Sequence, residues 1–335
     1  MKASTHTVSR SRALMWLTVL LVVVFGISVF LGRYPTPGFI SLERLSTDEM
    51  ARSLVFNLRL PRLLTAVLLG MSLAAAGAVF QMIFGNPLVE PGFLGVSQGA
   101  SFGAAFSIIF LSTSAWAVQI SAALCAFLGL GLSYLLARRV RYGGWVLRLV
   151  LAGIAVSALF SSGVGVLKYV ADPLSQLPEI TFWLLGSLTS LTWPQFWAIL
   201  PAVIVGLLVA FQMRWRINLL SLNDETAFSL GAAPGRERTL LLVAAVIATS
   251  AVISVAGMVS WVGLIIPHIA RRLFGADARH ALPASMLIGA IFAVLCDDLA
   301  RVLFPGEIPL GILTSLIGAA IFMALMMRPQ AAVER

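Results

Sequence analysis

Two adjacent acids and an arginine, Asp297, Asp298 and Arg301, stand late in an otherwise apolar stretch of this 335-residue sequence. Spacings of four and three place both acids beside Arg301 on a helix. They can form a local ion pair near a helix end, or they can orient Arg301 toward something outside. Other reactive side chains are scattered. His6, His268 and His280 are far apart, and no H-E-x-x-H occurs. Cys125 and Cys296 each sit alone in an apolar run and read as packing residues rather than a metal pair. Neither lysine, Lys2 or Lys168, follows a glycine, so the G-x-x-x-x-G-K-[ST] loop that cradles nucleotide phosphates is missing. The sequence therefore offers no catalytic residue, no metal site and no cofactor site. Any ATP hydrolysis must come from a separate chain.

The elements that carry these residues are built for lipid. The chain is 59% hydrophobic and 11% charged, against roughly 45–50% and 25% in a soluble domain. Its mean hydropathy is +0.97. Apolar runs near the ~20 residues that cross a bilayer as helix recur along the chain. Backbone groups in lipid must pair internally, which makes such runs helices. Ten spans are predicted, at roughly 13–31, 60–83, 93–111, 115–137, 147–169, 194–213, 239–256, 258–272, 282–303 and 308–327. The stretch 175–192, broken by Pro178 and Gly186, reads as a re-entrant or interfacial helix on the outer side. The first span is long for a signal-peptide core and no A-x-A-like site follows it, so it reads as a retained helix. The fold class is thus an all-α integral membrane protein, one transmembrane domain over 1–335.

The formal charge of +9 speaks for membrane orientation rather than for nucleic acid, because the cations lie between the apolar runs. Arg138, Arg139, Arg141 and Arg148, then Arg214, Arg216, Arg236 and Arg238, then Arg271, Arg272 and Arg279 fall on one side. Lys2, Arg10, Arg12, Arg328 and Arg335 join them. Arg33, Arg44, Arg52, Arg59, Arg62, Lys168 and Arg301 are left for the other. The richer side is cytoplasmic by the positive-inside rule, so both termini are expected inside. Gly95, Gly99 and Gly103, at four-residue spacing, are read as close helix packing within one subunit. Gly77 with Pro87 and Gly257 with Pro267 form a faint echo of an inverted repeat.

The longest inner segment, 214–238, has its own order. Asn223 or Asp224 can cap a short helix that Gly231 can end. It is either a surface helix resting on lipid headgroups or a knob that docks a soluble partner.

At this point the chain resembles the FecCD-type permeases of ATP-binding cassette (ABC) importers. The motifs are Arg59-Leu60-Pro61-Arg62, Gly77-Ala78-Val79-Phe80-Gln81 and Asn86-Pro87-Leu88-Val89-Glu90-Pro91-Gly92. Gly95-Val96-Ser97-Gln98-Gly99-Ala100 and Trp183-Leu184-Leu185-Gly186-Ser187-Leu188 follow. Glu225-Thr226-Ala227-Phe228-Ser229-Leu230-Gly231, Gly263-Leu264-Ile265-Ile266-Pro267-His268-Ile269-Ala270-Arg271 and Glu307-Ile308-Pro309-Leu310-Gly311 complete the order. The resemblance covers about residues 55–327. It implies a cobalamin-importer-permease-like fold of ten helices in the bacterial inner membrane. The implied partners are a second permease copy, two cytoplasmic ATPases and a periplasmic binding protein. The implied cargo is an iron-siderophore, haem or a corrinoid, with an oxyanion such as molybdate also within the family.

The resemblance also implies roles. Arg59, Arg62 and Arg301 would dock the binding protein, as guanidinium forks for its carboxylates. Their alternative is snorkelling to headgroups. Asn86 and Leu88 would form an inner gate, with a second element at Val146 and Leu147. There the cobalamin importer carries small hydroxyl residues and this chain is apolar. Leu222, Asp224, Glu225, Ala227, Leu230 and Gly231 would receive the ATPase. An ion-coupled secondary transporter is the alternative class, and it would need a midplane acid or an unwound binding helix.

Overall fold

The computed structural model describes residues 3–34 and 36–327. Lys2, Arg328 and Arg335 of the charge count lie outside these residues.

Helix α1 spans Ala3–Phe30, and its apolar part, Arg10–Phe30, lies almost wholly on the outside of the bundle. A two-residue antiparallel ladder follows, with Leu31 opposite Phe39 and Gly32 opposite Gly38. Next come α2 (Leu42–Thr47), capped by Ser41, and α3 (Glu49–Phe84). Asp48 caps α3 by accepting from the backbone N–H groups of Met50 and Ala51 at 2.9 and 3.3 Å. Helix α3 runs Glu49–Phe84 and is the central post of the fold, buried for most of its length. Its start lies earlier than the predicted span, which opens near residue 60. The helix begins at Glu49, and Leu54–Arg59 is wound as π-helix. There Leu60 N–H reaches Val55 O. This shift in hydrogen-bond register lets the chain pass a proline that lacks an N–H without breaking the rod.

The remaining helices are α4 (Val96–Leu111), α5 (Ala115–Arg139), α6 (Trp145–Val170), α7 (Gln176–Leu185) and α8 (Trp193–Gln212). Then follow α9 (Arg214–Leu220), α10 (Asp224–Ser229), α11 (Pro234–Ala256), α12 (Val262–Phe274), α13 (Ala278–Val302) and α14 (Leu310–Met327). Every predicted span meets a helix. Among the described residues, eight helices are long and apolar enough to cross a membrane. The predicted third and eighth spans, α4 and α12, are shorter. At ~1.5 Å per residue, the 13-residue α12 reaches about 20 Å, less than a ~30 Å hydrocarbon core. The predicted interfacial helix is α7, ten residues ended by Gly186 in a positive-φ conformation.

Small residues set the packing. A side chain on Gly70 of α3 would run into the backbone carbonyl of Gly289 on α13, and one on Gly289 would meet Gly70. Backbones this close exclude any Cβ, which is the physical use of glycine between membrane helices. Gly99 and Gly103 do the same against the Cys125 and Ser121 carbonyls of α5, while a side chain on Gly95, whose φ is 77°, would meet Val156 of α6, so their spacing serves contacts within the subunit. The repeat echo is not kept. Gly77 is mid-helix while Gly257 ends α11 with φ of 69°, and Pro87 lies in a turn while Pro267 lies inside α12.

Candidate functional site

The two ends of α13 carry the polar chemistry of the chain. At its C-terminal end, Arg59, Arg62 and Arg301 come together, but they face inward rather than toward a partner. They are 5, 7 and 6% exposed. Arg62 Nε donates to Asp297 Oδ1 and Arg62 Nη1 to Glu307 Oε2, both at 2.7 Å. Arg301 Nε lies 3.0 Å from Asp297 Oδ2, and Arg301 Nη2 pairs with Asp298. Ser28 Oγ donates to the other Asp298 oxygen at 2.5 Å. Formally, three cations meet three anions. The arginines also take the orphan carbonyls at the end of α1: Arg301 bonds Ser28 O and Leu31 O, and Arg59 bonds Val29 O at 3.2 Å. The last carbonyls of a helix lack partners and favour positive charge. The forks expected to be open to a partner are filled by the chain itself, and the local ion-pair reading of Asp297, Asp298 and Arg301 describes this geometry. Glu307 is the exposed member, its side chain 36% accessible.

At the other end of the bundle, α3 stops at Gly85, whose φ of 59° needs glycine. The next residue, Asn86, accepts from Leu88 N–H at 2.9 Å and closes a tight turn. Asn86 and Leu88 are exposed. Phe84 stacks on Trp145, with centroids 6.3 Å apart and planes 10° from parallel. That contact sets the turn beside the start of α6, where Leu147 is exposed and Val146 half-buried. The two elements that the resemblance assigns to a gate are therefore neighbours.

The segment 214–238 forms α9, α10 and the start of α11. Asn223 is the cap, accepting from Thr226 N–H at 3.0 Å, and Gly231 turns the chain with φ of 81°. Ala227 is buried, while Leu222, Asp224, Glu225, Phe228 and Leu230 are exposed. Two arginines that sequence reasoning did not single out lock this knob to α11. Arg238 Nη1 donates to Asp224 at 2.6 Å and its Nη2 to Leu220 O at 2.9 Å. Arg216 Nη1 donates to Gly231 O and to Glu237, each at 3.0 Å. A third tie runs to α13. Asn218 Nδ2 donates to Asp277 Oδ1, and Asn218 Oδ1 accepts from Ala278 N–H, both at 2.8 Å. Arg279 and then Asn218 hold the Asp277 carboxyl well below the usual carboxylate range through hydrogen bonds to it. Partners 59 residues apart leave no spacing signal in the sequence, which is why this pair was missed. Gln81 closes the Gly77-Ala78-Val79-Phe80-Gln81 motif. It is buried, donates to Gly263 O and Leu264 O, and accepts from Arg271 at 2.5 Å, so it ties α3 to α12.

A cavity of about 350 Å³ opens between these ends, with Glu90, Ser97, Gln98, Ser157 and Ser260 among its lining. It lies beside Trp261, whose φ of 73° is the positive value found in a non-glycine residue among those described.

Comparison with known proteins fits this architecture. The FecCD transport family model matches residues 20–328. The molybdate import system permease protein MolB of Haemophilus influenzae is 39% identical over 94% of this chain and 95% of its own length. The hemin transport system permease protein HmuU of Yersinia pestis is 38% identical over 93% and 94%. The Fe(3+) dicitrate permease protein FecC of Escherichia coli is 36% identical over 92% and 94%. A solved structure of a metal-chelate type ABC transporter, inward-facing, superposes with a TM-score of 0.87 at 37% identity, over 94% of this chain and 99% of that one. This multi-pass membrane protein belongs to the FecCD transport family, whose relatives named above are permease proteins of import or transport systems.

Proposed function

We propose that the chain is the membrane-spanning subunit of an ATP-driven importer that carries an iron chelate or haem from periplasm to cytoplasm. A corrinoid or an oxyanion is an alternative cargo. Two copies surround the pathway, two soluble ATPases bind below, and a periplasmic binding protein delivers cargo above. The chain lies in the inner membrane as one domain with both termini in the cytoplasm, binds no cofactor, and works by alternating access. The observation that carries this reading is the latched knob at 214–238. A short helix with Phe228 and Leu230 exposed at its rim and two arginines fixing its base is built to receive force from a soluble partner. Leu222, Asp224, Glu225, Leu230 and Gly231 form the ATPase contact, while Ala227, expected among them, is buried and seats the short helix from beneath; Asn86 and Leu88 with Val146 and Leu147 form the inner gate.

Docking of the binding protein takes a different form from open guanidinium forks. Arg59, Arg62 and Arg301 are occupied, so a partner carboxylate enters by exchange, replacing Glu307 on Arg62. Charge-assisted Arg–carboxylate pairs are strong and geometrically specific enough for such an exchange to be selective.

The test is uptake into proteoliposomes holding the permease, its ATPase and its binding protein, with ferric siderophore, haemin, cobalamin and molybdate offered in turn. ATP-dependent uptake of one cargo supports the reading. Uptake driven by a proton or sodium gradient without ATP overturns it.

A further inference from the structure

We propose that the Asn218–Asp277 pair is the joint through which the ATPase-facing knob moves α13, and that α13 carries the motion to the charge network at its far end. The inference rests on the permease reading and adds two positioning residues to it. Arg216 and Arg238 tie the knob only to α11, the next helix in the chain. Among the described residues, the hydrogen bonds that take the knob to a helix distant in sequence are those of Asn218. They are reciprocal: one amide donates to the Asp277 carboxylate and accepts from the Ala278 backbone. A planar amide held from both sides fixes direction as well as distance. Asp277 is the N-cap of α13, also accepting from Arg279 N–H at 2.9 Å. A pull on Asn218 therefore acts on the helix terminus itself rather than on a flexible side chain.

Helix α13 is suited to transmit that pull. From Ala278 to Asp298 it spans about 30 Å at ~1.5 Å per residue, and it presses backbone to backbone on α3 at Gly70 and Gly289. Its far end holds Asp297, Asp298 and Arg301, which grip Arg62 of α3 and the end of α1. The joint also borders a cleft of about 490 Å³ shared with Gln81, Gly85, Pro87 and Arg271. Gly85 and Pro87 bracket Asn86, so the gate turn lies across the same open space. Knob, gate turn and long helix meet at one place, and the cleft leaves room for the meeting point to shift.

Coupling between sites commonly amounts to 5–150-fold. The test compares the parent with Asn218→Ala, Asn218→Ser and Asp277→Asn in proteoliposomes, scoring cargo moved per ATP hydrolysed. Asn218→Ala removes both bonds but leaves Asp277 able to cap α13. Asp277→Asn keeps an Oδ1 acceptor and serves as the conservative rescue. The expected result is a drop of at least about five-fold in cargo per ATP for both Asn218 variants. Asp277→Asn should stay within about two-fold of the parent in cargo per ATP, and the Asn218 variants should keep the parent's Tm and ATPase affinity. A merely structural pair would lower Tm and abundance and leave the ratio intact. Glu225→Arg on the knob separates the two readings. If it uncouples and the Asn218 variants do not, the joint is wrong and the importer reading stands. If neither uncouples, the knob reading fails and the joint with it. Should Asn218→Ala fail to fold, Asn218→Ser decides alone. Uncoupling by Asp277→Asn equal to that of Asn218→Ala also overturns the hydrogen-bonded joint.

Discussion

Replacing Asp297 with alanine should be among the most damaging single changes in this chain, and a second substitution should repair part of the damage. Asp297 is fully buried and faces two guanidiniums, Arg62 at 2.7 Å and Arg301 at 3.0 Å. In the parent, Arg59, Arg62 and Arg301 are balanced by Asp297, Asp298 and Glu307. Asp297→Ala leaves three buried cations against two anions. Removing one partner of a buried pair costs about 3–5 kcal/mol, mostly because the remaining charge has lost both water and its counter-ion. Unfolding entropy of ~2.1 cal/mol/K per residue over 335 residues is about 0.7 kcal/mol/K. The expected fall in Tm is therefore ~4–7 °C by that scale. Asp297→Ala/Arg301→Met restores the balance, with Arg59 and Arg62 against Asp298 and Glu307, and keeps an apolar stem of similar length. Its Tm should recover at least half the loss. The assay is thermal unfolding in detergent followed by size-exclusion fluorescence, with membrane abundance as a second readout. Strict additivity of the two substitutions, or an Asp297→Ala protein as stable as the parent, would refute the argument that charge balance holds this end together.

Further outcomes follow from the same contacts. Gly70→Leu should abolish membrane accumulation, because its side chain would meet the Gly289 carbonyl and force α3 from α13, whereas Gly131→Leu, with open space around it, should accumulate normally. Glu307→Gln should weaken the grip on Arg62 and raise affinity for the binding protein, measured by surface binding, and the gain should shrink at high salt. The Asp277 carboxyl is held low in the folded chain, so its contribution is complete above the unfolded pKa of ~3.9 and fades as pH falls toward the folded value. The Tm difference between parent and Asp277→Asn should be flat from pH 8 to about 4 and narrow below. Reporter fusions after Arg141, Arg236 and Ala278 should read cytoplasm, and fusions near Asp48 and Asp172 periplasm. A periplasmic signal at Arg236 would place the knob on the wrong side for any ATPase.

What the sequence disclosed was whatever a local pattern can encode. Apolar run length located the helices, and the Asn223 cap with the Gly231 turn located the knob, because caps and positive-φ glycines are written within a few residues. The lengths of α4 and α12 were misjudged where loops at membrane depth are themselves apolar. Pro91–Leu94 forms a 3-10 turn and Gly257–Trp261 an irregular link, yet both read as span by hydropathy. The start of α3 lies before the apolar run because the turns from Glu49 to Arg59 are partly polar, and a π-helical turn has no sequence signal of its own. The three arginines meet in one buried network, and their inward direction is not legible in the sequence. Arg62 meets Asp297 across 235 positions and Arg301 meets the carbonyls of α1 across about 270, contacts that no spacing rule anticipates.

The inward turn of those arginines changes how the outer end can work. An exposed fork would bind a partner without altering the permease, since nothing would have to be released. A filled fork makes binding and rearrangement one event. A carboxylate that takes Glu307's place on Arg62 acts on a guanidinium that also holds Asp297, and Asp297 is part of α13. At the opposite end of that helix, Asn218 holds the cap residue Asp277 and belongs to the knob. With the proposed partners on opposite faces of the membrane, both would address a single helix, each through a side chain already engaged in the resting chain. The differential contact that any ligand-driven shift requires is then supplied by exchange at one end and by the amide joint at the other.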